Sequence, residues 1–210
     1  MYRTRLTRLL KDHFHECRSL YIFVIALFMV GIVFGGIVVN SLPYGTKIDL
    51  LHYLQQFFGE LSRGQIADPQ VMFRENLTND LQYIGLIWLL GLSVIGLPII
   101  FVLIFIKGLV LGFTVGFLVS QMGINGFLAS MVSIFPQNLL LIPADLFISV
   151  IAVVCSLKIF RQLLIRTRRE PLLPQMVGYV LLLVPAGILV FAASSYEAYL
   201  SPALIRLFLS

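Results

Sequence analysis

Chemistry in this chain could rest on three histidines, two cysteines and a single carboxylate at membrane depth. His13, His15 and His52 all lie outside the long apolar stretches. A serine protease working inside a membrane needs serine and histidine together there, and an aspartyl protease needs two carboxylates. Between Gln82 and Lys158 the only charged residues are Lys107 and Asp145. No His-Glu-x-x-His pair supports a zinc site, and no glycine loop ends in the lysine and Ser/Thr of a phosphate cradle. Cys17 precedes the first apolar stretch and Cys155 sits late in another, with no metal-type spacing, so no disulfide is expected between them. No catalytic residue, metal site or cofactor is expected, and the chain reads as a non-enzyme.

Asp145 still requires an explanation. A carboxylate at mid-helix in a bilayer costs about 2.5–3.5 kcal/mol on insertion scales. It is either a proton or ion site, or a group protonated or paired within a bundle. Just before it, Pro136 and Pro143 bracket Gln137 and Asn138. Those amides are expected to supply interhelical hydrogen bonds, worth about 1 kcal/mol each in lipid.

The elements that must position these groups follow from composition. Hydrophobic residues make up 59% of the chain and charged residues 12%, against about 25% charged in soluble domains. The expected fold class is an all-α polytopic membrane protein of about five transmembrane helices, with an outer helical hairpin between spans 1 and 2. The net charge of +5 comes mostly from basic clusters beside spans, which set topology rather than bind nucleic acid.

Residues 1–19 form a basic cytoplasmic tail, with Leu6, Leu10 and Phe14 spaced for an amphipathic surface helix or otherwise disordered. Span 1 covers 20–39 and carries Gly31, Gly35 and Gly36. The polar connection 40–82 reads as the outer hairpin. Thr46 and Asp49 resemble a capping box, Arg63-Gly64 could end its first helix, and Asp68-Pro69 suits the start of the second. Ile48, Leu51, Leu54, Phe57, Phe58 and Leu61 line one face of the first helix. That stripe packs on the bundle, lies in the membrane surface or receives a partner.

Residues 83–157 hold spans 2 to 4. Span 2 is placed at Tyr83–Ile106, kinked at Pro98, with Trp88 near its outer end and Lys107 as an inner-edge anchor. Gly108, Gly112 and Gly116 then recur every fourth residue, a helix-packing face like that of Gly31 and Gly35. A broken segment is expected near 120–138, either a span ending near Met122 with a re-entrant piece after it or one long broken helix. A basic cytoplasmic loop (158–175), span 5 (176–194) and an outer amphipathic tail (195–210) complete the chain. Arg3, Arg5, Arg8, Lys11, Arg18, Lys107, Lys158, Arg161, Arg166, Arg168 and Arg169 fall inside, against Lys47, Arg63, Arg74 and Arg206 outside. The amino terminus is thus expected in the cytoplasm and the carboxyl terminus outside.

Four stretches carry a family likeness. They are LYIFVIALFMVGIVFGGIVVNS at Leu20–Ser41, the run Tyr83–Gly123, SIFPQNLLLIPA at Ser133–Ala144, and SSYEAYLSP at Ser194–Pro202. In order and over nearly the whole chain they resemble stage II sporulation protein M. The resemblance implies a bacterial cell-membrane protein of the septum and engulfing membrane, on the mother-cell side. It would be a scaffold that acts with stage II sporulation proteins D and P, which cut septal peptidoglycan. Distant relatives tend to carry a proline, histidine, glycine and then glutamate pattern where this chain has Pro136, Gln137, Asn138 and Leu141, with Asp145 one turn further on. Phe57 and Phe58 in the hairpin, with Glu197 and Tyr199 in the tail, are the expected partner contacts. Membrane lipid and a second copy of the chain complete the expected partners. A small permease subunit using Asp145 is the competing reading.

Overall fold

The computed structural model describes residues 17–62, 69–164, 179–180 and 183–200. Every regular element among them is helical. These are α1 (Arg18–Ser41), α2 (Tyr44–Ser62), α3 (Pro69–Gly91), α4 (Gly96–Ser133), α5 (Phe135–Leu164) and α6 (Leu183–Ser195). After α6 the chain widens into a π-helical segment, Tyr196–Leu200. Three stretches among the described residues, Arg18–Ser41, Gly96–Leu128 and Phe135–Arg161, are long and apolar enough to cross a bilayer. The chain is an all-α polytopic membrane protein. Its outward faces carry exposed apolar side chains such as Met29, Val33, Phe34, Val102 and Ile188, as helices do when lipid replaces water as the solvent.

The fold is built around α5. Ala144, Ile148 and the run from Ser149 to Val153 are all buried, because α1, α3, α4 and α6 pack around this one helix. The helices alternate in direction. Ser156 Oγ of α5 donates to Ser93 O at 2.8 Å, and Cys17, which caps α1, and Leu20 share a groove with Lys158 and Arg161 of α5. The start of α1, the α3–α4 turn and the end of α5 thus lie together, and this is the basic end of the bundle.

α1 and α4 run parallel at unusually close range. Phe28 faces Gly108, Ile32 faces Gly112 and Gly36 faces Gly116. A Cβ on Gly31 would lie 2.5 Å from Phe105 O, and one on Gly35 would lie 2.6 Å from Phe113 N. Small residues every fourth position remove the side-chain layer that would hold two backbones apart. Gly91 does the same for α3, where a Cβ would lie 2.8 Å from Ala152 Cα.

The second apolar helix departs from the expected one. No helix runs over Tyr83–Ile106. Instead α3 stops at Gly91, Leu92–Ile95 turns, and α4 begins at Gly96. Hydrogen bonds from Leu92 N to Leu89 O (3.1 Å), Ser93 N to Leu90 O (3.0 Å) and Gly96 N to Ser93 O (3.2 Å) close that turn. A side chain at Gly96 would strike the Leu90 backbone. Pro98 does not kink a span; it sits in the first turn of α4, where its missing N–H has no partner to lose. Two further placements change with this break. Trp88 lies at the basic end, stacked on Tyr179 with ring centroids 5.6 Å apart, rather than near the outer end. Lys107 is not a boundary residue: it stands eleven residues into α4, about 16 Å along its axis.

The hairpin expected at 40–82 divides. α2 ends just before Arg63-Gly64 and α3 starts at Pro69. Thr46 lies inside α2 rather than at its cap, because the helix already begins at Tyr44. α3 belongs to the bundle, with Phe73 edge-on to Phe191 at 5.5 Å. α2 packs extensively on no other described helix, leaving Tyr44 80% and Tyr53 72% exposed. α4 breaks at Gly123, whose φ of 58° and ψ of −131° no side-chain-bearing residue adopts easily. Helix then resumes and runs to Ser133. The basic tail, the basic loop and the carboxyl-terminal tail fall largely at 1–16, 165–178 and 201–210, outside the described residues.

Candidate functional site

The break before α4 decides what surrounds Asp145. Because α4 starts at Gly96, its twelfth residue, Lys107, reaches the same depth as the eleventh residue of α5. Both lie about 15–16 Å from their helix starts, half of a hydrocarbon core about 30 Å thick. Lys107 Nζ stands 2.5 Å from Asp145 Oδ2, with side chains 25% and 9% exposed. The same Nζ sits 4.2 Å above the centre of the Tyr83 ring, an attractive cation–π placement. Tyr83 in turn donates its hydroxyl to Leu103 O at 3.2 Å, one turn before Lys107 on α4. A cavity of about 10 Å³ opens beside the pair, between Phe28, Tyr83 and Ile142, about the size of one water molecule.

A second acid comes from α3. Asp80 lies one turn before Ile84 and two before Ile87, on the face of α3 whose apolar members are buried. It is within electrostatic reach of Lys107, Asp145 and Glu197. Ser194 Oγ is 3.4 Å from Asp80 Oδ2 and 3.0 Å from Val190 O; its one proton serves the nearer acceptor first. A third acid comes from the π-helical segment: Gln137 Nε2 donates to Glu197 Oε2 at 2.5 Å. Gln137 precedes Asp145 by two helical turns, about 12 Å along α5. Three carboxylates and one ammonium thus run from the middle of the bundle toward the end opposite the basic one.

Chemically this arrangement can lock helices together and hold protons. Among the described residues no group of three or more His, Cys, Asp or Glu could hold a metal. Sequence reasoning isolated Asp145 and Gln137 and expected Glu197 to face a partner. The structure ties Glu197 to Gln137 within the chain. Asn138 turns back instead, donating to Ile134 O at 2.9 Å across the α4–α5 junction. Lys107 and Asp80 were missed as members. Helical register marks Asp80, which shares a face with Ile84 and Ile87, but no local signal pairs Lys107 with a residue 38 positions later.

The remaining expected residues are elsewhere. Gly31, Gly35, Gly108, Gly112 and Gly116 meet in the α1–α4 crossing. Phe57 and Phe58 fall in α2 and Tyr199 in the π-helical segment, with their side chains outside the described residues. A family model for stage II sporulation protein M matches residues 24–202, and the chain belongs to that family. No curated protein and no solved structure matches it.

Proposed function

We propose that this sporulation-family membrane protein is a non-enzymatic scaffold of the engulfment machinery. In this reading it localises septal peptidoglycan hydrolases during endospore formation, with stage II sporulation proteins D and P as partners. The observation that carries the reading is α2, a helix of 19 residues with no extensive packing on the other described helices. Leu51 and Leu54 are half-buried along it, while Tyr44, Ile48 and Tyr53 are exposed. A helix that leaves its tyrosines exposed and packs little on the other described helices is available to another chain.

Charge supports an outer position for that helix. Arg18, Lys158 and Arg161 mark the basic end, and Arg3, Arg5, Arg8, Lys11, Arg166, Arg168 and Arg169 adjoin it in sequence. By the positive-inside rule this end faces the cytoplasm. α2 follows the far end of α1 and so lies on the outer side, where wall hydrolases work. The competing permease reading relied on an unexplained Asp145. The ion pair with Lys107 accounts for that carboxylate without a transported ion.

The test is crosslinking and purification of the tagged protein in mild detergent from sporulating cells. Proteins D and P should accompany the native chain and be lost when Leu51, Leu54, Phe57 and Phe58 are replaced by Ser. Equal retention by that variant, at equal membrane content, would remove α2 from the argument. Retention of an ATPase or a small solute instead would favour the permease.

A further inference from the structure

We propose that the groove at the basic end is a binding site for an anionic phospholipid, taking the phosphate headgroup between Lys158 and Arg161 and one acyl chain below it. The groove opens between the start of α1 and the end of α5, with a volume of about 470 Å³. That is within the range of about 300–1,000 Å³ of small-molecule sites. Its cationic rim is Lys158 and Arg161, both exposed, with Arg18 at the first residue of α1 nearby in the chain. Its apolar wall is Leu20, Phe23, Val154 and Leu157, and no acidic residue is among its described lining.

Depth supports the same ligand. Arg18 and Arg161 are the terminal residues of two membrane-crossing stretches, so the rim stands at the headgroup layer. Val154 lies one turn deeper than Lys158, about 6 Å, and Phe23 lies about 8 Å deeper than Arg18. Charge at the surface with an apolar wall one turn beneath matches a lipid's phosphate and the start of its acyl chain. Basic pockets between helices at the cytoplasmic side recognise anionic headgroups by this combination. The spacing of Lys158 and Arg161 by three residues puts both on one face of α5, where a single phosphate can meet both.

The experiment uses the full chain in neutral detergent and titrates phosphatidylglycerol or phosphatidylcholine, counting bound lipid by native mass spectrometry. Phosphatidylglycerol should be retained in preference to phosphatidylcholine. The variant K158Q/R161Q should bind it roughly tenfold to thirtyfold more weakly. The swap K158R/R161K keeps both charges and should keep the binding. K47Q/R74Q removes the same charge at the opposite end and should leave affinity unchanged. Equal losses in K158Q/R161Q and K47Q/R74Q, or binding by K158Q/R161Q within twofold of native, would overturn the site. Loss of lipid on adding ten-millimolar inorganic phosphate would overturn the lipid assignment and make the groove a site for free phosphate.

Discussion

Replacing Gly112 by Ala, with Gly36→Ala as its twin, tests the α1–α4 crossing with one chemistry at two places. At Gly112 the new methyl would press on the Ile32 backbone, 2.7 Å from its C and Cα, where ordinary contact starts at 3.4 Å. The two helices must part by at least about 0.7 Å there, and the Gly31–Phe105 and Gly35–Phe113 approaches loosen with them. Overpacking of this kind costs about 1–3 kcal/mol. At Gly36 a Cβ meets nothing within 4 Å. Both substitutions gain the same helix preference, about 1 kcal/mol, so it cancels between them. The expected gap is therefore about 1–3 kcal/mol, with Gly112→Ala the less stable. For a chain of this size 1 kcal/mol moves the melting temperature by about 2–4 °C, so Gly112→Ala should melt roughly 2–12 °C below Gly36→Ala. Thermal unfolding of both in the same detergent measures it. Equal shifts would refute the close parallel crossing.

Other expectations concern single contacts. Lys107→Met leaves Asp145 buried without its cation and should cost about 3–5 kcal/mol; adding Asp145→Met should restore much of the loss, and a double variant no better than the single would dismiss the pair. Gly123→Ala meets no neighbour within 4 Å, so its cost, about 1–3 kcal/mol, is backbone strain alone; an unchanged melting temperature would show that the break does not need a positive φ. Ser156→Ala removes the donor to Ser93 O and should destabilise by about 1 kcal/mol, with faster amide exchange at Leu92–Ile95; exchange identical to native would mean that the turn holds without it.

Much of this architecture is legible from spacing. Gly108, Gly112 and Gly116 announce a helix face open to close approach, and Gly31 with Gly35 announces another. What spacing cannot supply is register, because the offset between α1 and α4 is set by the path of α3 between them. The Leu92–Ile95 turn is hidden for a related reason. Its residues are as apolar as the helices beside them, so hydropathy runs on through it, and the glycines at 91 and 96 read equally well as packing positions. Misplacing that turn moved Lys107 from mid-bundle to a boundary and left Asp145 without a visible partner. Glu197 reads as a surface acid because its partner Gln137 lies 60 residues away. α2 was legible as a helix, yet its sparse packing on the other described helices was not, since an amphipathic stripe has the same pattern whichever surface it meets.

The parallel crossing also sets a clock. Phe28, Ile32 and Gly36 meet Gly108, Gly112 and Gly116, each 80 residues further along the chain. At about 5–20 residues per second of synthesis, α1 waits roughly 4–16 s in the bilayer before its facing helix exists. During that interval the groove at Gly31 and Gly35 is filled by lipid tails, which must be displaced when α4 arrives. α3 must already be threaded by then, because it carries the chain back across so that α4 can ascend beside α1. Assembly of this bundle is therefore ordered by translation, and the earlier helix is secured only after the later one has been made.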